Sequence, residues 1–158
     1  MKFKTFLRLT FTLAGIFALA ACGMGTELQP PTASIQQLKV LPGGGWELTV
    51  RIQNYSYDTG MHVYALDADL DVGGKRAGHI VLSPALDIPE MSADTAAATI
   101  TPRADARSAL MSAKGNAVAY ELKVGMSVGK GETGKPDHFD LDGKGFLSPV
   151  PGVANVWR

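Results

Sequence analysis

Cysteine is almost missing from this chain of 158 residues: Cys22 stands alone. A single thiol cannot close an intramolecular disulfide, nor build a multi-cysteine zinc or iron–sulfur site. Net charge is missing as well. The 15 Lys and Arg balance the 15 Asp and Glu, whereas a chain whose main partner is nucleic acid needs a basic excess to neutralise phosphates. No apolar run reaches the roughly 20 residues that a permanent membrane-spanning helix requires. The one candidate, Leu9–Ala21, stops short. Strands do not alternate with helices, which argues against a doubly wound nucleotide-binding fold. His62, His79 and His138 form no i, i+4 or His-x-His pair, so the short-range spacing of a metal site is absent too. The sequence therefore leads us to expect neither a metal nor another cofactor.

What is present begins at the N-terminus. Lys2, Lys4 and Arg8 supply a basic start without an acid, Leu9–Ala21 is uncharged, and the segment ends in small residues. This is the layout of a secretory signal peptide. Cys22 follows at once in Leu19-Ala20-Ala21-Cys22, which resembles the lipobox of bacterial lipoproteins. The resemblance implies a diacylglyceryl group thioether-linked to Cys22 and cleavage on its N-terminal side. Ala20 and Ala21 are small enough for the peptidase, and a thiolate is nucleophilic enough to take the lipid. The alternative is a plain secretory signal followed by a buried free Cys. Gly23 stands where Asp would signal inner-membrane retention, so the same resemblance favours the periplasmic face of the outer membrane in a Gram-negative cell. Losing residues 1–21 removes three bases, no acid, and four of the six Phe (Phe3, Phe6, Phe11, Phe17). The mature chain is thus mildly acidic and must build its core from Val, Leu, Ile, Ala and Tyr.

Beyond the linker 22–33, with its Pro30-Pro31, a period of two dominates, as in half-buried strands. Ile35, Leu38 and Val40 suggest a first strand, and Gly43-Gly44-Gly45 breaks it. Trp46, Leu48, Val50 and Ile52 alternate with polar residues, and 54–60 reads as a loop. Tyr64, Leu66, Ala68, Leu70 and Val72 form one face of a longer strand whose other face carries Asp67, Asp69 and Asp71. Gly73-Gly74 marks a tight hairpin turn before Lys75–Leu82. Ala96, Ala98 and Ile100 form a further strand, Val118 to Val128 another, and Phe139–Phe146 the last. Only Ala104–Ala113 is helical in character. The expectation is an all-β, antiparallel sandwich of about seven strands with one short helix.

The order of these segments resembles a known family. VRIQNYS ends a strand in an Asn-containing loop, YALDADLDVGGKRAG ends the next in Gly-Gly, and DIPEMSADTAAATI joins Ile-Pro to a small-residue strand. AYELKVG and the Gly-flanked FDLDGKGFLSP follow the short helix. Together they resemble the type-2 late embryogenesis abundant (LEA), or WHy (water stress and hypersensitive response), domain over residues 34–149, with 150–158 as a tail. The first loop departs from the family, which has Asn-Pro-Asn where this chain has Asn54-Tyr55-Ser56. The resemblance implies an immunoglobulin/fibronectin-III-like sandwich. It also implies a non-enzymatic lipoprotein that protects proteins or membranes under desiccation or water stress.

Motifs that could carry chemistry fall short. Gly129 to Lys135 nearly matches a phosphate-binding loop, but Pro136 replaces the required Ser or Thr and strand-like residues follow where a helix is needed. It reads as a hairpin loop. Asp67-x-Asp69-x-Asp71 lacks the Gly and Glu of a calcium loop and reads as a solvated strand face, with cation binding left open. Asn54-Tyr55-Ser56 is formally a glycosylation sequon. Trp46 and Trp157 could stack on sugars, with a core or core-edge role expected for Trp46. With Cys22 lipidated no thiol nucleophile remains, and the chain is expected not to be an enzyme. Expected partners are the membrane, through the lipid on Cys22, and unfolding proteins. The alternative is a module that binds another protein in envelope assembly or secretion.

Overall fold

A computed structural model describes residues 27–113 and 115–158. The lipobox residues Leu19, Ala20, Ala21 and Cys22 lie outside them. The strands are β1 (Thr32–Val40), β2 (Trp46–Gln53), β3 (Met61–Val72), β4 (Lys75–Leu82), β5 (Leu86–Ile88), β6 (Ala93–Ile100), β7 (Val118–Lys130), β8 (Asp137–Leu147) and β9 (Val156–Trp157). One helix, α1 (Ala104–Ser112), intervenes between β6 and β7. A sheet ordered β6-β2-β1-β9 faces one ordered β4-β3-β7-β8, with β5 added at the start of β3. All pairings are antiparallel. The seven long strands divide three to four between the sheets, as expected of an immunoglobulin/fibronectin-III-like sandwich.

Alternation places the core. Trp46, Leu48, Val50 and Ile52 of β2 are wholly buried, as are Leu66, Leu70 and Val72 of β3 and Leu122, Met126 and Val128 of β7. Fully burying one such aliphatic side chain contributes about 1.5–3 kcal/mol. The sheets are stitched where β1 crosses β8. The Ile35 amide donates to the buried Tyr120 hydroxyl at 3.1 Å. A Cβ at Gly143 would collide with the Ala33 carbonyl oxygen, so the glycine lets the two backbones touch. The helix follows Pro102, carries Asp105 in its first turn, and buries Ala106 and Leu110 beneath the β3–β4 hairpin. Gly73 and Gly74 turn that hairpin at φ +60° and +70°, values that suit a type I′ turn.

Three features differ from the sequence-based expectation. Strand β1 begins at Thr32, inside the segment read as linker, and Leu28 is already buried. The C-terminal tail returns as β9, pairing Trp157 with Leu38 and burying it. Tyr64 does not share the inner face with Leu66: the β3–β7 register shifts between Val63 and Ala65, so Tyr64 is the extra residue of a bulge. Its ring lies on the outer side beside His62, with centroids 4.6 Å apart.

The sandwich has two unlike ends. The far end holds the β3–β4 turn, α1 and the start of β2. The near end gathers Leu28 and Gln29, the 54–60 loop, β5, residues 89–92 and the β7–β8 loop.

Candidate functional site

The near end is organised by a buried amide. Asn54, fully buried, gives its two Nδ2 protons to three carbonyls: Thr59 at 2.9 Å, Pro89 at 3.1 Å and Ile88 at 3.2 Å. Its Oδ1 accepts the Ser56 amide at 2.9 Å. The main-chain amides of Asn54 and Met91 add bonds to Ser92 and Ser56 carbonyls. The Asn54 amide is thus spent on structure, which removes it as a glycan acceptor. With Asn54 holding the loop base, the loop tip projects Tyr55 (46% exposed) and Tyr57 (83% exposed), and Met91 stands exposed on the neighbouring loop. Ser56 Oγ accepts the Gln29 amide at 3.0 Å. The chain leading back to Cys22 therefore leaves from the same end as the exposed tyrosines.

The outer face of the larger sheet carries Asp67, Asp69 and Asp71, as the alternation predicts. They do not form a calcium loop. Asp69 pairs with Arg76, and its Oδ1 lies 2.8 Å from His79 Nδ1; Asp67 Oδ2 lies 3.4 Å from His79 Nε2. The hydrogen bond from His79, followed by that from Arg76, holds the Asp69 carboxyl below its ordinary pKa. The bond to Asp69, with the Asp67 charge behind it, raises that of His79. One strand over, Gly125 sits between Asp67 and Asp140 in register. Its missing side chain floors an open depression of about 610 Å³ walled by Lys123, His138 and Asp142. These pairs are solvent-exposed, where an ion pair contributes little.

The segment resembling a phosphate-binding loop is the hairpin connection between β7 and β8. The carbonyls of Glu132, Gly134 and Gly131 converge on the Tyr64 hydroxyl at 2.9, 3.0 and 3.2 Å. Any one of them accepts its single proton, and the loop is drawn down over the bulge. One spacing that sequence reasoning passed over is Gly125-Met126-Ser127-Val128-Gly129, which has the form of a nucleophile elbow. Ser127 lies inside β7 rather than on a strand-to-helix turn. It stands opposite His138 in register, but that ring leans over Gly125 with its Nε2 3.3 Å from Asp140. Among the described residues no hydrogen bond joins Ser127 to His138, so no Ser–His–Asp relay is assembled.

The three His, unpaired in sequence, each meet an Asp in space. His138 meets Asp140, His79 meets Asp69, and the mostly buried His62 meets Asp87 with Nδ1 to Oδ1 at 2.7 Å. Sequence spacing signals only the first, two residues apart on one strand face. Trp46 lies wholly in the core, as expected. Among the described residues no helix is long and apolar enough to cross a membrane.

No family model matches the chain, and no curated protein does. Solved structures do match. A protein from Arabidopsis thaliana, solved in solution, superposes with a TM-score of 0.54 at 14% identity, over 82% of this chain and 88% of that one. A protein described as late embryogenesis abundant (LEA), also solved in solution, is matched at TM-score 0.39 and 15% identity, over 91% of this chain and 83% of that one. An Archaeoglobus fulgidus protein is matched at TM-score 0.42 and 11% identity, over 78% of this chain and its whole length. At these identities the likeness shows a shared fold: the two-sheet sandwich described above, in common with the Arabidopsis protein.

Proposed function

We propose that this chain is a lipoprotein of the bacterial cell envelope, anchored through lipid on Cys22, whose sandwich acts without catalysis to protect proteins or membranes under desiccation or water stress. The observation that carries the anchor is the lipobox Leu19-Ala20-Ala21-Cys22 behind a basic, apolar leader. The near end supports it. Cys22 precedes Gln29 by seven residues, which span at most about 25 Å when extended. Gln29 is bonded to the loop that exposes Tyr55 and Tyr57. Tyrosine has an apolar body and a polar tip and suits a surface of lipid headgroups or of a loosened protein. Two or three acyl chains hold firmly where one holds marginally, so the sandwich would stand close to the outer-membrane surface. The protective role follows the type-2 LEA resemblance of segments such as YALDADLDVGGKRAG and AYELKVG.

The direct test dries and rehydrates a labile enzyme with and without the purified protein. Retained enzyme activity at equimolar ratio is expected, and no protection at or above that ratio contradicts the protective reading. A second reading, a module for one envelope protein, is favoured by the open depression over Gly125. Crosslinking in the native envelope separates the two: many weak partners fit protection, and one stoichiometric partner fits the module.

A further inference from the structure

We infer that His62, Asp87 and Glu132 form a binding site for a divalent transition-metal ion of the zinc class. The three come from β3, β5 and the β7–β8 loop, separated by 25 and 45 residues in sequence, and the near end brings them together. One imidazole nitrogen, one Asp87 oxygen and one Glu132 oxygen lie within 4.8 Å of one another. Ligand atoms about 2.0–2.2 Å from a tetrahedral ion stand roughly 3.3 Å apart, so a small inward shift closes the set. Glu132, exposed at the tip of a loop, is the member free to make that shift.

The surroundings prepare the set. The His62 side chain is 9% exposed, and its Nδ1 is held by Asp87 at 2.7 Å. That nitrogen, facing the carboxylate, is the one that would share an ion with Asp87 in place of the proton between them. The ring is fixed edge-on against Tyr64, and the Tyr64 hydroxyl takes hold of the loop that carries Glu132. A Cβ at Gly134 would come within 2.6–2.7 Å of the Lys130 backbone, so the loop keeps this tight shape only with glycine there. Two carboxylates brought together repel. A divalent ion offsets both.

The donor set chooses the ion. Imidazole nitrogen suits zinc and its neighbours, whereas calcium and magnesium prefer all-oxygen shells with more ligands. Three protein ligands leave a position for water. Such an ion would tie β3, β5 and the β7–β8 loop together at the end that faces the anchor.

Calorimetric titration of the full chain with zinc chloride, after purification in detergent and chelator treatment, tests the site. We expect one equivalent bound with saturation, affinity lowered at least tenfold by Glu132→Gln and by His62→Ala, and no change in His79→Ala. Glu132 is an exposed loop residue, so Glu132→Gln keeps the fold and decides the matter even where His62→Ala disturbs packing. Absence of saturable binding overturns the assignment. So does binding that Glu132→Gln leaves intact, or binding that His79→Ala removes, since that would move the ion to the outer sheet face.

Discussion

The two ends of the sandwich are closed by different chemistry. At the far end the buried side chains Trp46, Ala106 and Leu110 pack without a hydrogen-bonded hub, the Trp46 Nε1 having no hydrogen-bond partner among the described residues, and α1 packs against the β3–β4 hairpin. The near end buries apolar groups too, among them Leu28, Met61 and Ile88, but adds a polar hub of Asn54, Ser56 and His62. Tyr55, Tyr57 and Met91 stay exposed there, and Ala85 and Met91 adopt positive φ of +47° and +51°. Non-glycine residues pay for that conformation only where the surroundings enforce it. Burial stabilises the far end in proportion to area and asks little of sequence detail. A hydrogen-bonded hub such as Asn54 fixes positions, and positions matter where loops present side chains to a partner. On the proposed function, the near end is the one that would meet a partner.

Substitutions can break this contrast. The largest effect belongs to the far end: Trp46→Ala leaves a cavity in the core and should cost about 3–5 kcal/mol in urea unfolding. Asn54→Ala should cost roughly 2–3 kcal/mol by stranding buried carbonyls and an amide. Its signature should be local, with faster hydrogen exchange in 54–60 and 88–92 and little change around α1. Equal acceleration at both ends would erase the distinction. The double change Tyr55→Ser with Tyr57→Ser should alter stability by no more than about 0.5 kcal/mol while weakening association of the unlipidated chain with vesicles. Unchanged vesicle binding would remove the tyrosines from the recognition surface.

The smallest effect lies on the outer sheet face and depends on pH. The raised pKa of His79 makes its contribution full below the ordinary value of 6.5 and lost as pH rises through the folded value. The lowered pKa of Asp69 makes its contribution present above 3.8 and lost as pH falls through its folded value. Wild type and His79→Ala should therefore differ most in melting temperature between about pH 4 and 6.5 and converge at pH 8–9. A difference that grows toward pH 9 would contradict the pairing.

Much of the fold is legible in the sequence because alternation reports burial directly. Trp46 to Ile52 and Val118 to Val128 read as strands and are strands. The Tyr64 bulge was hidden, since one extra residue looks like unbroken alternation until the partner strand fixes the register. Strand β9 was hidden because two residues carry no period. The polar hub escaped notice for another reason: Asn54 bonds carbonyls up to 35 residues away, and His62 meets Asp87 across 25. Such meetings follow from topology, whereas the acidic face Asp67-Asp69-Asp71 follows from local spacing and was visible at once.

The proposed anchor at Cys22 would bring the near end closest to the membrane, so the most direct measurement is on that residue. Cells expressing the full chain are grown with labelled palmitate, and the mature protein is recovered from membranes for mass determination. Wild type should carry label on a chain that begins at Cys22, and Cys22→Ala should remain an unlabelled, uncleaved precursor. An unlabelled wild-type chain, or one labelled equally after Cys22→Ala, would contradict the lipid anchor.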